Sequence, residues 1–206
     1  MKAKVAHVGA RVVDSLPFSQ SATSVSAQTI RSAGAHALAG YLGVINKARL
    51  NLLMDAGLGF IPVTLAGAYN NGAGDELAQL KALGIPKGVT VYADMEGVKA
   101  YNTNPDDLIY VLNRWANDIK AAGYIAGLYV GSPQPLTSEE LWKLRVERYW
   151  KGQGACRDRN GDLAEPRGCG WGMTQMWPSV TAGGVLVDWN MVGADYLSRL
   201  PTWCAA

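Results

Sequence analysis

The 206-residue sequence alternates along its whole length between short strand-like segments and longer helix-like segments. The strand-like segments are mostly apolar, and they occupy residues 11–14, 36–41, 60–65, 89–96, 125–130, 148–150, 172–177 and 185–190. The helix-like segments have apolar residues at helical spacing, and they occupy residues 26–33, 46–56, 75–83, 104–122 and the stretch after Thr137. Strands that alternate with helices in this way are typical of parallel βα units.

The eight strand-like segments predict an α/β protein built as one closed (β/α)8 barrel of the TIM type, in which the final helices can be degenerate. A single barrel over residues 1–206 is at the small end for this fold, which begins at about 200 residues. An open, doubly wound sheet is the alternative, but no Gly-x-Gly-x-x-Gly fingerprint follows the first strand. No linker divides the chain, so we interpret residues 152–170 as a loop insertion in one domain.

Composition excludes several classes of protein. Hydrophobic residues make up 49% and charged residues 17% of the chain, which is not the composition of a disordered protein. A formal net charge of +2 gives no indication of a nucleic-acid partner. No run of about 20 apolar residues is present, so we expect no membrane insertion.

The residue content also limits targeting and catalytic chemistry. The first ten residues lack the continuous apolar stretch of a signal peptide, so none is predicted. Only two histidines occur in the sequence, which disfavours zinc sites and Ser–His–Asp catalysis. We therefore predict no metal site. No cofactor is expected either, and the expected state is a monomer.

Two of the three cysteines bracket a polar segment. Cys156 and Cys169 lie on either side of residues 157–168, and Cys204 lies near the end of the sequence. A disulfide between Cys156 and Cys169 would close this loop in an oxidising compartment, whereas two ordinary thiols are expected in the cytosol. Both interpretations are open on the sequence alone.

The strongest local indication of chemistry is Asp94-x-Glu96 at the end of an apolar strand. Side chains alternate across a strand, so Tyr92, Asp94 and Glu96 share one face. In a barrel this face points inward, and its last residues reach the C-terminal end where barrel active sites lie. Two carboxyl groups this close cannot both ionise easily, so one pKa should rise, as a general acid requires.

Two more acidic residues are placed at the ends of apolar strands. Asp14 ends the first strand-like segment, and Asp188 follows Val185-Leu-Val187 in the last one. The first and last strands of a closed barrel are neighbours, and the fourth strand faces them across the lumen. We therefore predict that Asp14, Asp94, Glu96 and Asp188 converge on one mouth of the barrel.

This order of motifs resembles the family 25 glycoside hydrolases, which are lysozymes (N-acetylmuramidases) with a (β/α)8-like barrel. The resemblance lies in Asp14, Asp94-x-Glu96 and Asp188, together with the segments 127–130, 174–177 and 187–190. Val13-Asp-Ser-Leu-Pro17 and Gly40-Tyr-Leu42 are more similar still to related glycoside-hydrolase-like barrel domains, first catalogued as a domain of unknown function. Those domains occur in phage lysins and in secreted actinobacterial proteins.

The resemblance implies a role for each carboxylate. Glu96 matches the general acid, and Asp94 matches the acid that assists the reacting sugar or its N-acetyl group. Asp14 and Asp188 match flanking carboxylates that position and tune the others. The sequence departs from the pattern at residues 15–20, which replace an aromatic-rich segment, and at the insertion between Cys156 and Cys169.

Aromatic and amide side chains complete the predicted site, since sugar rings pack on aromatic faces in pockets. Trp115 and Trp142 lie at helical positions and are expected in the core, as is Trp189 on the outward face beside Asp188. The predicted substrate-binding residues are Tyr41, Tyr92, Tyr129, Gln175, Trp177 and Asn190.

The sequence and its resemblance together predict an enzyme that cleaves β-1,4 glycosidic bonds in bacterial peptidoglycan. A phage endolysin is the expected setting, acting from the host cytoplasm on the periplasm and the cell wall; secretion is the alternative. Two other functions stay open, namely a barrel that binds glycan without cleaving it and a hydrolase of another polysaccharide.

Overall fold

A computed structural model describes residues 1–65, 72–96, 103–182 and 184–206. Its strands are β1 Lys2–Val5, β2 Arg11–Asp14, β3 Ala37–Tyr41, β4 Gly59–Val63, β5 Thr90–Asp94, β6 Ile125–Val130, β7 Arg148–Lys151, β8 Met173–Ala182, β9 Val185–Val192 and β10 Thr202–Ala205. Its helices are α1 Leu16–Ser21, α2 Ser24–Ser32, α3 Lys47–Asp55, α4 Gly74–Leu83, α5 Pro105–Ala121 and α6 Ser138–Trp142.

Strands β2 to β9 form a closed barrel. Their order is β4-β3-β2-β9-β8-β7-β6-β5, and pairing of Val63 with Tyr92 joins β4 to β5 and closes the ring. Each of the eight predicted segments overlaps one of these strands, and helices separate the consecutive strands from β2 to β7. The prediction of a closed α/β barrel is confirmed.

The prediction that all barrel strands are parallel is wrong for β9. This strand runs antiparallel to both of its neighbours, β2 and β8. Strand β8 ends at Ala182 and β9 begins at Val185, and so short a connection permits only a hairpin, because a parallel return needs a crossover of about a dozen residues. Asp188 consequently lies within β9 and does not end a parallel strand.

Strands β1 and β10 were not predicted. They pair with each other along their whole length, and Cys204 of β10 pairs with Phe60 at the start of β4. The main-chain N–H of Thr202 donates to the Thr90 hydroxyl, 2.9 Å away, so this ribbon covers the end of the barrel where the parallel strands begin. Lys2-Ala-Lys-Val5 alternates polar and apolar residues, but the segment is only four residues long and all of them are exposed, so the pattern is too short to identify a strand.

The barrel strands separate two apolar cores. Val12 of β2 faces the lumen, whereas Val13 packs on the outer side beneath the helices. Three large rings fill the lumen: Tyr92 and Tyr129 lie 5.6 Å and 4.5 Å from Trp150, measured between ring centroids. Small residues of β3 oppose them, so that large and small side chains fill the layer together.

Side-chain caps define the helices that the sequence predicts. Asn104 caps α5, with Pro105 at its first turn, and Thr137 and Glu140 form the predicted capping box of α6. Helix α1 was missed because it has only six residues, although Ser15 caps it.

No helix in the described part of the chain is long and apolar enough to cross a membrane.

The three cysteines are buried free thiols. The Cys156 thiol donates a hydrogen bond to the carbonyl of Gly131 at 3.4 Å, and the Cys169 thiol donates one to the carbonyl of Pro166 at 3.8 Å. The structure therefore contains no disulfide between Cys156 and Cys169, and the inserted loop is held in another way. Arg159 of the loop forms an ion pair with Glu140 of α6.

Gly127 is a sensitive packing position in the lumen. A Cβ atom there would lie 2.6 Å from the Tyr92 ring, and neither strand β6 nor the packed ring can move aside freely. We expect Gly127→Ala to lower the free energy of unfolding by about 1–3 kcal/mol, measured by urea denaturation. Gly193→Ala is the control because nothing lies within 4 Å of its Cβ position; equal stability of the two variants would contradict this packing argument.

Candidate active site

A cleft of about 260 Å³ opens at the end of the barrel where the parallel strands finish. Its lining residues are Asp14, Ser15, Leu16, Pro17, Tyr41, Glu96, Tyr129, Trp150, Ser179, Leu186, Val187 and Asp188. Three of the four predicted carboxylates line this cleft. The fourth, Asp94, is buried beside it with 5% of its surface exposed.

Strand β9 brings Asp188 next to Asp14 despite its reversed direction. In the β2–β9 register, Asp14 pairs with Asp188. Paired residues of adjacent strands lie on the same face, so both carboxyl groups point to the lumen side. The predicted proximity of these two residues is therefore found, although the strand geometry that produces it is different.

Asp14 is the most strongly perturbed carboxyl group of the cleft. Burial raises its pKa to about 8, and the negative charges of Asp188, Glu96 and Asp94 raise it as well. The Asn190 side chain donates to Asp14 Oδ2 at 2.7 Å and partly opposes this rise. Asp14 is therefore protonated at neutral pH.

Asp94 is fixed by three hydrogen bonds. Its Oδ1 accepts from the main-chain N–H of Glu96 at 2.7 Å, its Oδ2 accepts from the Tyr41 hydroxyl at 3.4 Å, and its N–H donates to Thr64 Oγ1 at 3.3 Å. Burial raises the pKa of Asp94 to about 6, against the lowering effect of the Glu96 N–H. The carboxyl group thus anchors the backbone turn that carries Glu96.

Glu96 is exposed to the cleft at the first position after this anchored turn. Partial desolvation raises the pKa of its carboxyl group, and the charge of Asp188 raises it further. Gly131 lies close beside it, since a Cβ atom there would be 3.4 Å from Glu96 Cγ. The side chain is thus accessible while its backbone is fixed.

Asp188 is held by hydrogen bonds on both oxygens. Gln175 Nε2 donates to Oδ2 at 2.6 Å, and the main-chain N–H of Ser179 donates to Oδ1 at 2.6 Å. Gln175 in turn accepts through Oε1 from the Tyr129 hydroxyl at 3.2 Å and from the Gln153 N–H at 3.0 Å. This chain fixes Asp188 to the barrel wall and to the inserted loop.

Tyr41, Gln175 and Asn190 each donate a hydrogen bond to one of the carboxyl groups, and Tyr129 is connected to Asp188 through Gln175. Burial raises the pKa of both Tyr41 and Tyr129, and the nearby carboxylates have the same effect. Both phenol groups therefore stay protonated at neutral pH and act as hydrogen-bond donors. Their hydroxyl groups, more than their ring faces, connect them to the carboxylates.

Of the six predicted substrate-binding residues, Tyr41 and Tyr129 line the cleft. Gln175 and Asn190 are buried behind it and bond to its carboxyl groups, whereas Tyr92 and Trp177 do neither. Tyr92 is fully buried in the lumen. Trp177 is 52% exposed outside the cleft. A β-bulge between Gln175 and Trp177 places one extra residue in β8 and pairs Trp177 with Trp189, whose side chain belongs to the outer core as predicted. The bulge thus changes the face of the strand on which Trp177 lies.

Three functional neighbours were missed. Trp150 lines the cleft and its Nε1–H donates to Asn190 Oδ1 at 2.8 Å, and its lumen orientation could have been found from alternation along β7. Ser179 and Thr64 carried no detectable signal, because their contributions are a main-chain N–H and a single hydroxyl. Within the described ranges, no group of three or more His, Cys, Asp or Glu residues is placed to hold a metal ion.

No protein-family model matches the sequence, and no curated protein matches it either. Several solved structures share its fold. The Tat-secreted protein Rv2525c of Mycobacterium tuberculosis is 19% identical with a TM-score of 0.62, over 91% of this chain and 96% of that chain. An uncharacterized protein of B. stearothermophilus is 17% identical with a TM-score of 0.67, over 90% and 96% of the two chains.

A muramidase from Trichobolus zukalii also matches. It is 11% identical with a TM-score of 0.62, and the match covers 89% of this chain and 93% of the muramidase. Identities this low establish similarity of fold alone. The chain accordingly has a barrel similar in fold to a muramidase and to Rv2525c, over nearly its whole length.

Proposed function

We propose that this barrel is a glycoside hydrolase that cleaves the β-1,4 bonds of peptidoglycan by carboxylate acid–base chemistry. The observation that carries the proposal is one cleft at which four carboxyl groups from three strands meet, three of them with raised pKa values. Glycoside cleavage needs an acid at the leaving oxygen and negative charge near an oxocarbenium-like centre. The fold of the muramidase supports the same reaction class.

Glu96 is the proposed general acid. A general acid must hold a proton at working pH and must reach the substrate. The pKa of Glu96 is raised, which favours the form that carries the proton, and its side chain is exposed to the cleft. Asp188 lines the same cleft and is the proposed carboxylate that stabilises positive charge on the sugar.

The two buried aspartates receive different roles. The resemblance assigns Asp94 to the reacting sugar, but its burial and its hydrogen bond to the Glu96 N–H favour a positioning role. Asp14 is neutral at pH 7, so it adds no negative charge beside Asp188. The cleft therefore presents fewer charges than its four acidic side chains suggest.

Replacement of Glu96 tests the catalytic proposal. We expect Glu96→Gln to lower the rate of peptidoglycan cleavage at least about 100-fold, because the amide cannot donate a proton to the leaving oxygen. The rate is measured as turbidity loss of purified cell walls, with mass analysis of new reducing muramic ends. Glu139→Gln, an exposed carboxylate on α6, is the matched control and should keep full activity.

The products decide among the open functions. Full activity of the Glu96→Gln variant would refute the assignment of the acid. If the wild-type protein binds intact glycan strands and releases no reducing ends, the barrel is a glycan-binding module. Cleavage of a different polysaccharide with walls left intact would keep the chemistry and change the substrate.

We also propose the setting of a phage endolysin, on the basis of the family resemblance. Expression in the host cytoplasm should leave cells intact until the inner membrane is permeabilised, after which the wild type lyses them and Glu96→Gln does not. Optical density of the culture is the measurement. Release of active protein into the medium before permeabilisation would favour secretion instead, the route of the Tat-secreted Rv2525c.

The protonated state of Asp14 predicts how stability depends on pH. The folded protein holds this proton up to about pH 8, whereas an unfolded aspartate releases it near pH 4. Ionisation thus opposes folding, so the stability contribution is complete below about pH 4 and is lost as the pH rises toward 8. An asparagine in place of Asp14 has no such charge, and its amide oxygen can still accept the hydrogen bond from Asn190.

We therefore expect Asp14→Asn to gain stability relative to the wild type between pH 5 and pH 8, by more than about 1 kcal/mol. Urea denaturation at the two pH values measures the change. Asp55→Asn, at an exposed position on α3, is the control and should follow the wild type. Parallel behaviour of the two variants would show that Asp14 is ionised in the folded protein.

A further inference from the structure

A second pocket lies at the end of the barrel opposite the carboxylate cleft. Its volume is about 270 Å³, and it lies between the β1–β10 ribbon and the starts of β3 and β4. We call it the basic pocket, defined by its basic lining residues Lys2, Lys4, His7, Arg31 and His36. Met54, Leu58 and Trp203 supply its apolar wall.

Separate elements direct these side chains to one place. Lys2 and Lys4 lie on the same face of β1 because they are two residues apart, while Ala3 on the other face lies toward Gly88. The rings of His7 and His36 meet edge to face, with centroids 4.9 Å apart. Arg31 reaches the pocket from the last turn of α2.

The His36 ring has one N–H donor with no hydrogen-bond partner among the described residues. Its Nδ1 accepts a hydrogen bond from the Arg11 N–H at 3.1 Å, so the neutral ring carries its proton on Nε2. Partial burial lowers the pKa of His36, and the neighbouring His7, Arg31 and Arg11 lower it as well. Among the described residues, the side-chain charges that act on the pKa of this imidazole are all basic.

The cations of the basic pocket have no acidic partners in the described part of the chain. None of Lys2, Lys4 and Arg31 takes part in an ion pair there, and no Asp or Glu side chain is among the lining residues. Ala206 also lines the pocket. Even with a carboxylate counted at that residue, three side-chain cations leave the pocket positive.

We propose that the basic pocket binds a phosphate group. Lysine ammonium groups and an arginine guanidinium are the usual partners of phosphate oxygens, and imidazole N–H groups add directed donors. The apolar wall of Met54, Leu58 and Trp203 restricts water access on one side, which strengthens charge-assisted contacts. A doubly charged oxyanion here supplies the negative charge that the lining side chains lack.

The site is independent of the proposed glycosidase chemistry. The carboxylates occupy the end of the barrel where the parallel strands finish, whereas His36 and Gly59 of the basic pocket lie where β3 and β4 begin. A ligand in the basic pocket therefore leaves the cleft open. The Glu96→Gln variant should bind phosphate as the wild type does, whatever the outcome of its activity assay.

The two histidines make a direct experiment available. They are the only histidines of the chain, and both line the basic pocket, so every imidazole signal in an NMR spectrum reports on this site. On titration with inorganic phosphate at constant ionic strength, we expect saturable shifts of both rings. The pKa of His36 should rise by about 0.5 unit or more, because a bound anion favours the imidazolium form. Sodium chloride at matched ionic strength should produce no saturable change.

Paired lysine variants test the contacts. Lys2→Ala/Lys4→Ala should lower the affinity for inorganic phosphate about tenfold, the scale of one strong charge-assisted contact. Lys81→Ala/Lys143→Ala removes the same charge from exposed positions on α4 and just after α6, and should leave the affinity unchanged. Equal affinity of the two double variants, or no saturable binding by the wild type, would overturn the proposal.

A binding experiment with a phosphate polymer identifies the source of the phosphate. Roughly tenfold tighter binding of poly(glycerol phosphate) than of inorganic phosphate, lost in Lys2→Ala/Lys4→Ala, would assign the pocket to a phosphodiester polymer. Equal or weaker binding of the polymer, with inorganic phosphate still bound, would assign it to a free phosphate or a phosphomonoester. Absence of both interactions removes the site.

Discussion

The antiparallel pairing of β9 is the constraint on which the cleft depends. A connection of two residues after β8 prevents a parallel return, so β9 closes the barrel in the opposite direction to its neighbours. Its lumen-facing side chains then enter the site from the open end. In this way Asp188 pairs with Asp14, and Asn190 reaches Asp14 from one lumen position deeper.

The carboxyl groups are supported by the aromatic layer beneath them. Trp150 donates to Asn190, which donates to Asp14, and Tyr129 donates to Gln175, which donates to Asp188. The Tyr129 and Trp150 rings are in contact with each other. The packing of the lumen therefore fixes the directions of the hydrogen bonds at the cleft, and a change in the aromatic layer is expected to affect both aspartates together.

Alternation and strand order were sufficient to predict the barrel and the convergence of the carboxylates. They were insufficient for Trp177, because a β-bulge adds a residue to β8 without a recognisable sequence pattern. Alternation along β5 correctly places the Tyr92 side chain on the lumen side of the strand. Alternation does not say how far a residue lies from the open end of the barrel, and Tyr92 lies in the buried layer below the cleft. The antiparallel direction of β9 could have been deduced from the short connection before it. The prediction of eight parallel strands did not take the length of that connection into account.

The two ends of the barrel carry side chains of opposite charge type. In a chain with 17% charged residues, one end of the barrel carries the carboxyl groups of the cleft, and the other carries basic side chains that form no ion pair within the described residues. Desolvation at the first end favours protonation, which limits repulsion between Asp14 and Asp188. At the second end, the basic side chains of the pocket have no acidic side chain among their lining neighbours. The two ends therefore differ in electrostatic character: protonation reduces the charge at the cleft, whereas the proposed phosphate would neutralise the basic pocket.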